Sequence, residues 1–470
     1  MGFMERVSGA YRALRQDSAI VPLAPQGRPA PKAGYMKDGQ SVVFGRWNPA
    51  LRDSHQDVRL AWDQAAARTI DLIQNSGFVA GLVDQSVANV VGQGLQLSAR
   101  PDFKALRMTE DQASEWSSRV EERFAMWATR PIDCDAEARK TFGHLQASMY
   151  RHWLGFGEIF ASLPWKMRVG CAYGTKIKVI PALMCPNKSD MENLVQGVRV
   201  DSLGAATHYT FRRKRWAFGS TEDVEIAVRD RFGRPIVIHS FDGMPGQVRG
   251  ISPMTPVLKV ARQFDQLSDA TLTAAVIQAV FAAVMESEAP TMDVLRALQT
   301  PQEQATGASS PIESWLEASS GWAKSANIDL GVPGRIAHTF PGQKLKFLQS
   351  EHPNGQYVDF AEFLLREIAR CAGLTYESAT GDYSGATYSS VRMATTENFL
   401  LTLYRRKNII APVCQQIYEA WLEEDIDQGG TPFPGGVDGF LANRSAGSRA
   451  TWRGAGKPQA DGLKTAKERH

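Results

Sequence analysis

From Val257 to Ala289 the chain runs 33 residues without a glycine or a proline. Ser252-Pro253 and Thr255-Pro256 stand before this stretch and Pro290 closes it. Proline is tolerated in the first turn of a helix and breaks its interior. The spacing therefore predicts one helix with Thr255 as N-cap and Pro256 at the first helical position. At 1.5 Å per residue such a helix is about 50 Å long, far beyond the usual 10–14 residues. Its first half mixes Lys259, Arg262, Asp265 and Asp269 with apolar residues, whereas Ala270 to Met285 carries no charge. A rod that is apolar on nearly every side must be covered on several sides. One modest domain is too small to do this, so the reading is a homo-oligomer in which copies of the rod pack together. The uncharged run is shorter than the roughly 20 residues that span a bilayer, and Thr271, Thr273 and Gln278 dilute it, so no membrane passage is expected.

The rest of the composition is that of a globular protein of about three domains. Of 470 residues, 43% are hydrophobic and 22% charged. The 53 Lys and Arg nearly balance 50 Asp and Glu. A net charge of +3 excludes a tight general binder of nucleic acid while leaving DNA open as a passing contact. Cys134, Cys171, Cys185, Cys371 and Cys414 form no CxxC pair, which points to a reducing compartment without zinc or a disulfide framework. The N-terminus lacks the apolar core of a secretory signal, and Arg6 stands where myristoylation wants Ser or Thr.

Residues 1–58 read as an arm: Pro22, Pro25, Pro29 and Pro31 favour an extended segment, either loose or wrapped on a neighbouring copy. Helical periodicity follows over Val58 to Gly92, broken near Gly77, then over Asp111 to Ala128 and Thr141 to Phe156. The stripes Trp116, Val120, Phe124, Trp127 and Phe142, Leu145, Met149, Trp153 read as core. Between Ile159 and Phe241 the period shifts toward two, with strands expected at 176–180, 208–211 and 235–239. Arg212-Arg213-Lys214-Arg215 with Trp216 fits either a solvated hairpin edge or a nucleic-acid contact. After Pro290, a short helix is expected at 294–298 and a hairpin joining 335–340 to 344–348 through Pro341-Gly342. A helix over 357–372 places Phe360, Phe363, Leu364 and Ile368 on one face, with Gly373 as its C-cap. Tyr376 to Ser390 reads as a loop and Val391 to Glu424 as a helix interrupted at Pro412. The tail from Gly429 is glycine-rich and basic.

No motif of a catalytic site emerges. There is no phosphate-binding loop, no HExxH pair, and no GxSxG elbow around Ser384. Gly92-Gln93-Gly94 is a lone GxG, and Glu121-Glu122 and Glu423-Glu424 read as solvated helix faces. The expectation is a protein that is not an enzyme, without catalytic residues, cofactor or metal.

Several short stretches stand out in order along the chain. They are Ile73-Gln74-Asn75-Ser76 with Val87 to Leu95, Asp133-Cys134-Asp135 through Gly155-Phe156-Gly157-Glu158, and Ile238-His239 through Pro245-Gly246-Gln247-Val248-Arg249-Gly250. Three more are His352-Pro353-Asn354 with Arg366 to Glu377, Tyr388-Ser389-Ser390-Val391-Arg392, and Trp452-Arg453-Gly454-Ala455-Gly456. In this order, over about 380 residues, they resemble the lambda-type portal proteins of tailed bacteriophages. Thr387 stands where that family usually has Asn.

The resemblance implies an α+β portal fold with long stem helices, a mixed wing and a small clip, assembled as a closed ring, typically of twelve subunits. Its divisions would be the arm 1–58, wing 59–250, stem helix 251–289, clip 290–350, second stem helix 351–373, tunnel loop 374–390, tunnel helix 391–428 and a C-terminal segment 429–470. That last segment would lead to a short or absent crown. The implied place is one vertex of the virion capsid, after assembly in the host cytoplasm, alongside major capsid and scaffolding proteins. A large terminase subunit would drive double-stranded DNA through the ring, and head–tail adaptors would bind it later. Lys259, Arg262, Arg366, Arg370, Tyr383, Ser384 and Tyr388 are the candidates for non-specific DNA contact, with intersubunit salt bridges as the competing reading of the arginines. The alternative function is a membrane-inserting pore or DNA-injection protein using 270–285.

Overall fold

A computed structural model describes residues 49–190, 193–214, 221–280, 284–287, 317–318, 321, 343–346 and 356–456. Nearly all of them belong to one compact unit that begins at Asp53. The expected helix over 58–92 is two: α1 (Ser54–Asn75) and α2 (Gly77–Val90), separated by Ser76 in extended conformation. After β1 (Gln96–Ala99) come α3 (Glu110–Thr129) and α4 (Phe142–Phe156). Thr109 and Gln112 form a reciprocal capping box at the start of α3, and Thr141 caps α4. The two aromatic stripes are buried and meet edge to face: Phe124 lies 5.5 Å from Phe142 and 5.1 Å from Trp421.

Two antiparallel sheets follow. In one, β2 (Glu158–Ser162) lies between β3 (Lys178–Ile180) and β8 (Val237–Phe241). The other runs β4 (Leu194–Val195), β5 (Val198–Val200), β6 (Ala206–Lys214) and β7 (Thr221–Ala227) in order. Phe160 of the first sheet packs at 5.4 Å from Tyr209 of the second, in a core of their own.

The long helix departs from expectation at both ends. A 3-10 turn occupies Thr255–Val257, and α5 proper is Leu258–Val280, 23 residues or about 35 Å. Thr255 is not the cap; its Oγ1 is buried without a partner, and Ser252 Oγ accepts from Met254 N at 3.1 Å instead. Val284–Ser287 is β9, paired antiparallel with β10 (Gln343–Lys346). The ladder supplies these residues with backbone partners from a distant segment, which outweighs a helical pattern in the sequence. The other half of the expected hairpin, 335–340, lies outside the described residues, as do the helix at 294–298 and the arm 1–48.

The second long helix, α6, is Gln356–Ala372. Leu364 and Ile368 are buried, but Phe360 and Phe363, expected on the same face, point into solvent. Gly373 caps α6 at φ +80°, with Leu374 N donating to Ala369 O as in a Schellman turn. The expected loop 376–390 contains a short helix, α7 (Tyr376–Thr380), and its last three residues already belong to α8 (Tyr388–Arg405). A π-turn at Arg406–Ile410 then leads into α9 (Ala411–Asp427). Pro412 cannot donate to the carbonyl four residues back, and the wider turn absorbs its ring.

Among the described residues, the segment after α9 folds back onto β1. After α10 (Gly436–Ala442), β11 (Ala450–Arg453) returns to pair antiparallel with β1, setting Trp452 opposite Leu97. The bases of α5 and α6 are held by a separate core in which Val257, Ala261, Ile368 and Ala372 meet Leu72, Val79 and Leu82 of α1 and α2.

Candidate functional site

Two of the stretches that carry the resemblance meet at one buried junction. Gly157 ends α4 at φ +88°, so the chain reverses and sends Glu158 inward. A Cβ on Gly157 would fall 2.0 Å from the Ile251 carbonyl carbon, and one on Gly250 would fall 2.2 Å from the Gly157 oxygen. Only glycine lets the two backbones touch there. Arg249 Nε reaches the two Glu158 oxygens at 2.9 and 2.8 Å, and Nη2 reaches Oε1 at 2.5 Å. Its Nη1 donates to the Gln196 carbonyl at 2.8 Å. The guanidinium stands 4.9 Å over the Trp62 ring. His239, stacked at 4.1 Å on Phe160, places Nε2 at 3.0 Å from Glu158 Oε2.

Burial alone would raise the Glu158 pKa, but the Arg249 charge and the hydrogen bonds from His239 and Arg249 outweigh it and hold the carboxyl at about 2. Burial lowers the His239 pKa more than Glu158 restores it, so the ring is neutral with the proton on Nε2, facing the carboxylate.

Two adjacent arginines at the end of α8 do a second job that their sequence positions gave no sign of. Successive helical residues point about 100° apart, and each guanidinium takes a different helix terminus. Arg405 donates to the carbonyls of Cys371 and Ala372 at the end of α6, at 3.3 and 2.5 Å. Arg406 donates to the carbonyls of Asn89 and Val90 at the end of α2, at 2.8 and 2.7 Å, and to Ala455 O at 2.7 Å. Cations belong at helix C-termini, where unsatisfied carbonyls gather. The pair ties α8 to α6, to α2 and to the returning tail.

The candidate contact residues are spread over α5, α6 and the segment that leads into α8. Lys259 and Arg262 are exposed on one face of α5, and Arg370 is exposed on the last turn of α6. Arg366 is already engaged: it pairs with Glu362 at 2.8 Å and stands 5.0 Å over the Tyr376 ring. Tyr383 and Ser384 are exposed in the loop, where Asp382 accepts from Ser384 N at 2.9 Å. That bond holds the Asp382 pKa down. Tyr388 opens α8, and Thr387 before it caps the helix by accepting from Ser390 N, closing a capping box. Asn and Thr are both N-cap residues, so Thr387 supplies the capping chemistry that the resemblance expects from Asn.

Other readings are corrected by the contacts. Glu424 is buried, accepting from Trp165 Nε1 at 3.0 Å and from the backbone of Gly174 and Thr175 at 2.6 and 2.8 Å. Glu423 pairs with Arg444 at 2.6 Å, and Glu121 accepts from Ala99 N at 2.7 Å. Of these acids only Glu122 is the solvated face expected. Arg212 and Arg213 face Asp223 and Glu222 across the ladder, which accords with the hairpin-edge reading. The Gly92-Gln93-Gly94 turn crosses α4 so closely that a Cβ on Gly94 would lie 2.7 Å from Gly143 Cα; the glycines serve packing. Among the described residues, no helix is long and apolar enough to cross a membrane.

Comparison with known proteins accounts for this pattern. The chain is 27% identical over 432 residues to the portal protein of Escherichia phage N15, covering 90% of this chain and 80% of the relative. It is 26% identical over 452 residues to portal protein B of Escherichia phage lambda, covering 93% and 83%. Among solved structures, a chain from the neck of an empty GTA particle, computed with C6 symmetry, aligns over 80% of this chain and 87% of its own at 12% identity and a TM-score of 0.42. The family model for phage portal proteins of the lambda family matches residues 43–406, a span that takes in the Glu158–Arg249 junction and ends on Arg406 itself. The chain belongs to the lambda family of phage portal proteins.

Proposed function

We propose that the chain works as a closed ring at one vertex of a capsid, its stem formed by α5 and α6, through which double-stranded DNA enters during packaging and leaves on ejection. One observation carries the reading. Leu272 and Val276 on α5, Phe360 and Phe363 on α6, and Met393 and Leu400 on α8 are each at least 55% exposed in the single chain. Large apolar side chains gathered on three long helices call for a partner surface, and a second copy supplies one without any new sequence.

Geometry and charge agree with a conduit. Twelve helices spaced 8–10 Å apart close a circle about 30–38 Å across, leaving a lumen of roughly 20–28 Å, enough for a duplex. A lining rich in cations would hold the polyanion by counterion release; a chain with a net charge of +3 offers only scattered ones. Lys259, Arg262 and Arg370 are exposed contact candidates, joined by Tyr383, Ser384 and Tyr388 at the loop before α8. The clip, in this reading 290–350, meets terminase and later the head–tail adaptors, and capsid and scaffolding proteins surround the wing.

The native mass of the purified protein tests the proposal. A particle of about 620 kDa, twelve times 51.7 kDa, is expected, and a stable monomer at micromolar concentration overturns it.

A further inference from the structure

A cavity of about 430 Å³ opens where the turn before α5, the end of α4 and the end of α8 meet. Arg405 lies in its wall and is 6% exposed. Among the described residues, every hydrogen-bond partner of that guanidinium is neutral: the Cys371 and Ala372 carbonyls and the hydroxyls of Tyr150 and Ser86. No carboxylate among the described residues pairs with it, and its Nε makes no hydrogen bond among them. The α6 carbonyls and the Trp153 ring, 5.5 Å from the guanidinium, compensate this buried cation in part, but no full negative charge among the described residues meets it. Two further wall residues share the imbalance: Trp153 Nε1 and Thr255 Oγ1 are buried with no partner. The acid in the lining, Asp242, is exposed and already engaged by the Tyr404 hydroxyl at 3.1 Å.

We propose that this cavity binds a carboxylate, whose oxygens meet Arg405 and the neighbouring donors. The apolar walls choose between anions. Pro253, Pro256 and Leu401 would strip water from the outward oxygens of a phosphate without replacing it, whereas they suit the carbon stem of a carboxylate. The carboxylate is either an acidic side chain of an adjacent copy or a free small molecule, and the experiment separates the two.

Glutarate is the probe, with sulfate at matched ionic strength as the control, in saturation-transfer NMR and thermal melting of the full-length protein. Assembled and unassembled fractions are separated by size exclusion, with Phe360→Glu supplying the unassembled form if the wild type is wholly assembled. Glutarate is expected to bind the unassembled form saturably and to raise its melting midpoint, where sulfate does neither. Leu401→Trp, which fills the cavity and leaves Arg405 in place, should weaken binding at least tenfold. Binding confined to the unassembled fraction identifies an adjacent copy as the natural donor; equal binding by both identifies a free anion. No binding to the unassembled form beyond the sulfate control, or undiminished binding by Leu401→Trp, overturns the proposal. If the chain proves monomeric, the ring reading fails, but the same titration still reads the site.

Discussion

Arg249 and Glu158, 91 residues apart in sequence, form a buried pair in which Nε bridges both carboxylate oxygens at 2.9 and 2.8 Å. The pair joins the start of the first sheet to the approach of the stem, and His239 closes it from the third side. Removing one partner leaves the other charged in a fully buried position, at a cost of about 3–5 kcal/mol. Glu158→Gln is therefore expected to lower the unfolding free energy by that amount in urea titration. A variant within 1 kcal/mol of wild type would show that the pair is dispensable.

Acid should act on the same junction in two stages. The depressed His239 pKa means that the unfolded chain takes up that proton first, so stability is full above the ordinary histidine value near 6.5 and declines as pH falls below it. Glu158, held at about 2, contributes stability that is full above the unfolded value near 4.3 and is lost as pH falls from there through 2. Melting midpoints measured from pH 7 to pH 3 should fall throughout, and His239→Gln should flatten the stretch between pH 6.5 and 5. An unchanged slope there would remove His239 from the account.

The cap of α8 offers a test of chemical equivalence. Thr387→Ala removes the acceptor for Ser390 N and should destabilise the helix start by about 1 kcal/mol. Thr387→Asn, the residue usual in the family, should stay within about 0.5 kcal/mol of wild type. Hydrogen exchange at residues 388–391 reads the difference directly, with faster exchange expected in Thr387→Ala alone.

Charge placed on the outward face of α6 should separate folding from assembly. Phe360→Glu and Phe363→Glu alter exposed positions, where stability usually changes by about 0.5 kcal/mol or less. They are expected to abolish the large particle in size exclusion while the chain keeps its circular dichroism. Rings that persist in both variants would place the intersubunit contact elsewhere.

The loop before α8 should matter to DNA passage and not to ring formation. Alanine at Tyr383, Ser384 and Tyr388 together is expected to leave the native mass unchanged and to reduce the DNA packaged per particle several-fold. Loss of the ring in this variant would reassign the loop to assembly.

Local elements were largely legible because their causes are local. The Trp116 to Trp127 stripe, the break near Gly77 and the Gly373 stop each depend on neighbours within a turn or two, and the structure has all three. Reading failed where a distant segment decided the outcome. Residues 284–287 leave the helical pattern to pair with 343–346, and Glu424 turns inward to meet Trp165, Gly174 and Thr175.

What the sequence by itself determined is the inventory: helices with their caps and stops, aromatic stripes that must be buried, near-neutral charge, and ordered motifs sufficient to indicate the family. What only the tertiary structure decided is the company those residues keep. Glycines 157 and 250 became a contact, Glu158 became the partner of Arg249, and two consecutive arginines parted to close two different helices. The physical reason is range. Periodicity and capping are set by bonds a few residues long, whereas the pairing of a buried charge depends on which remote surface the packed core brings within 3 Å of it.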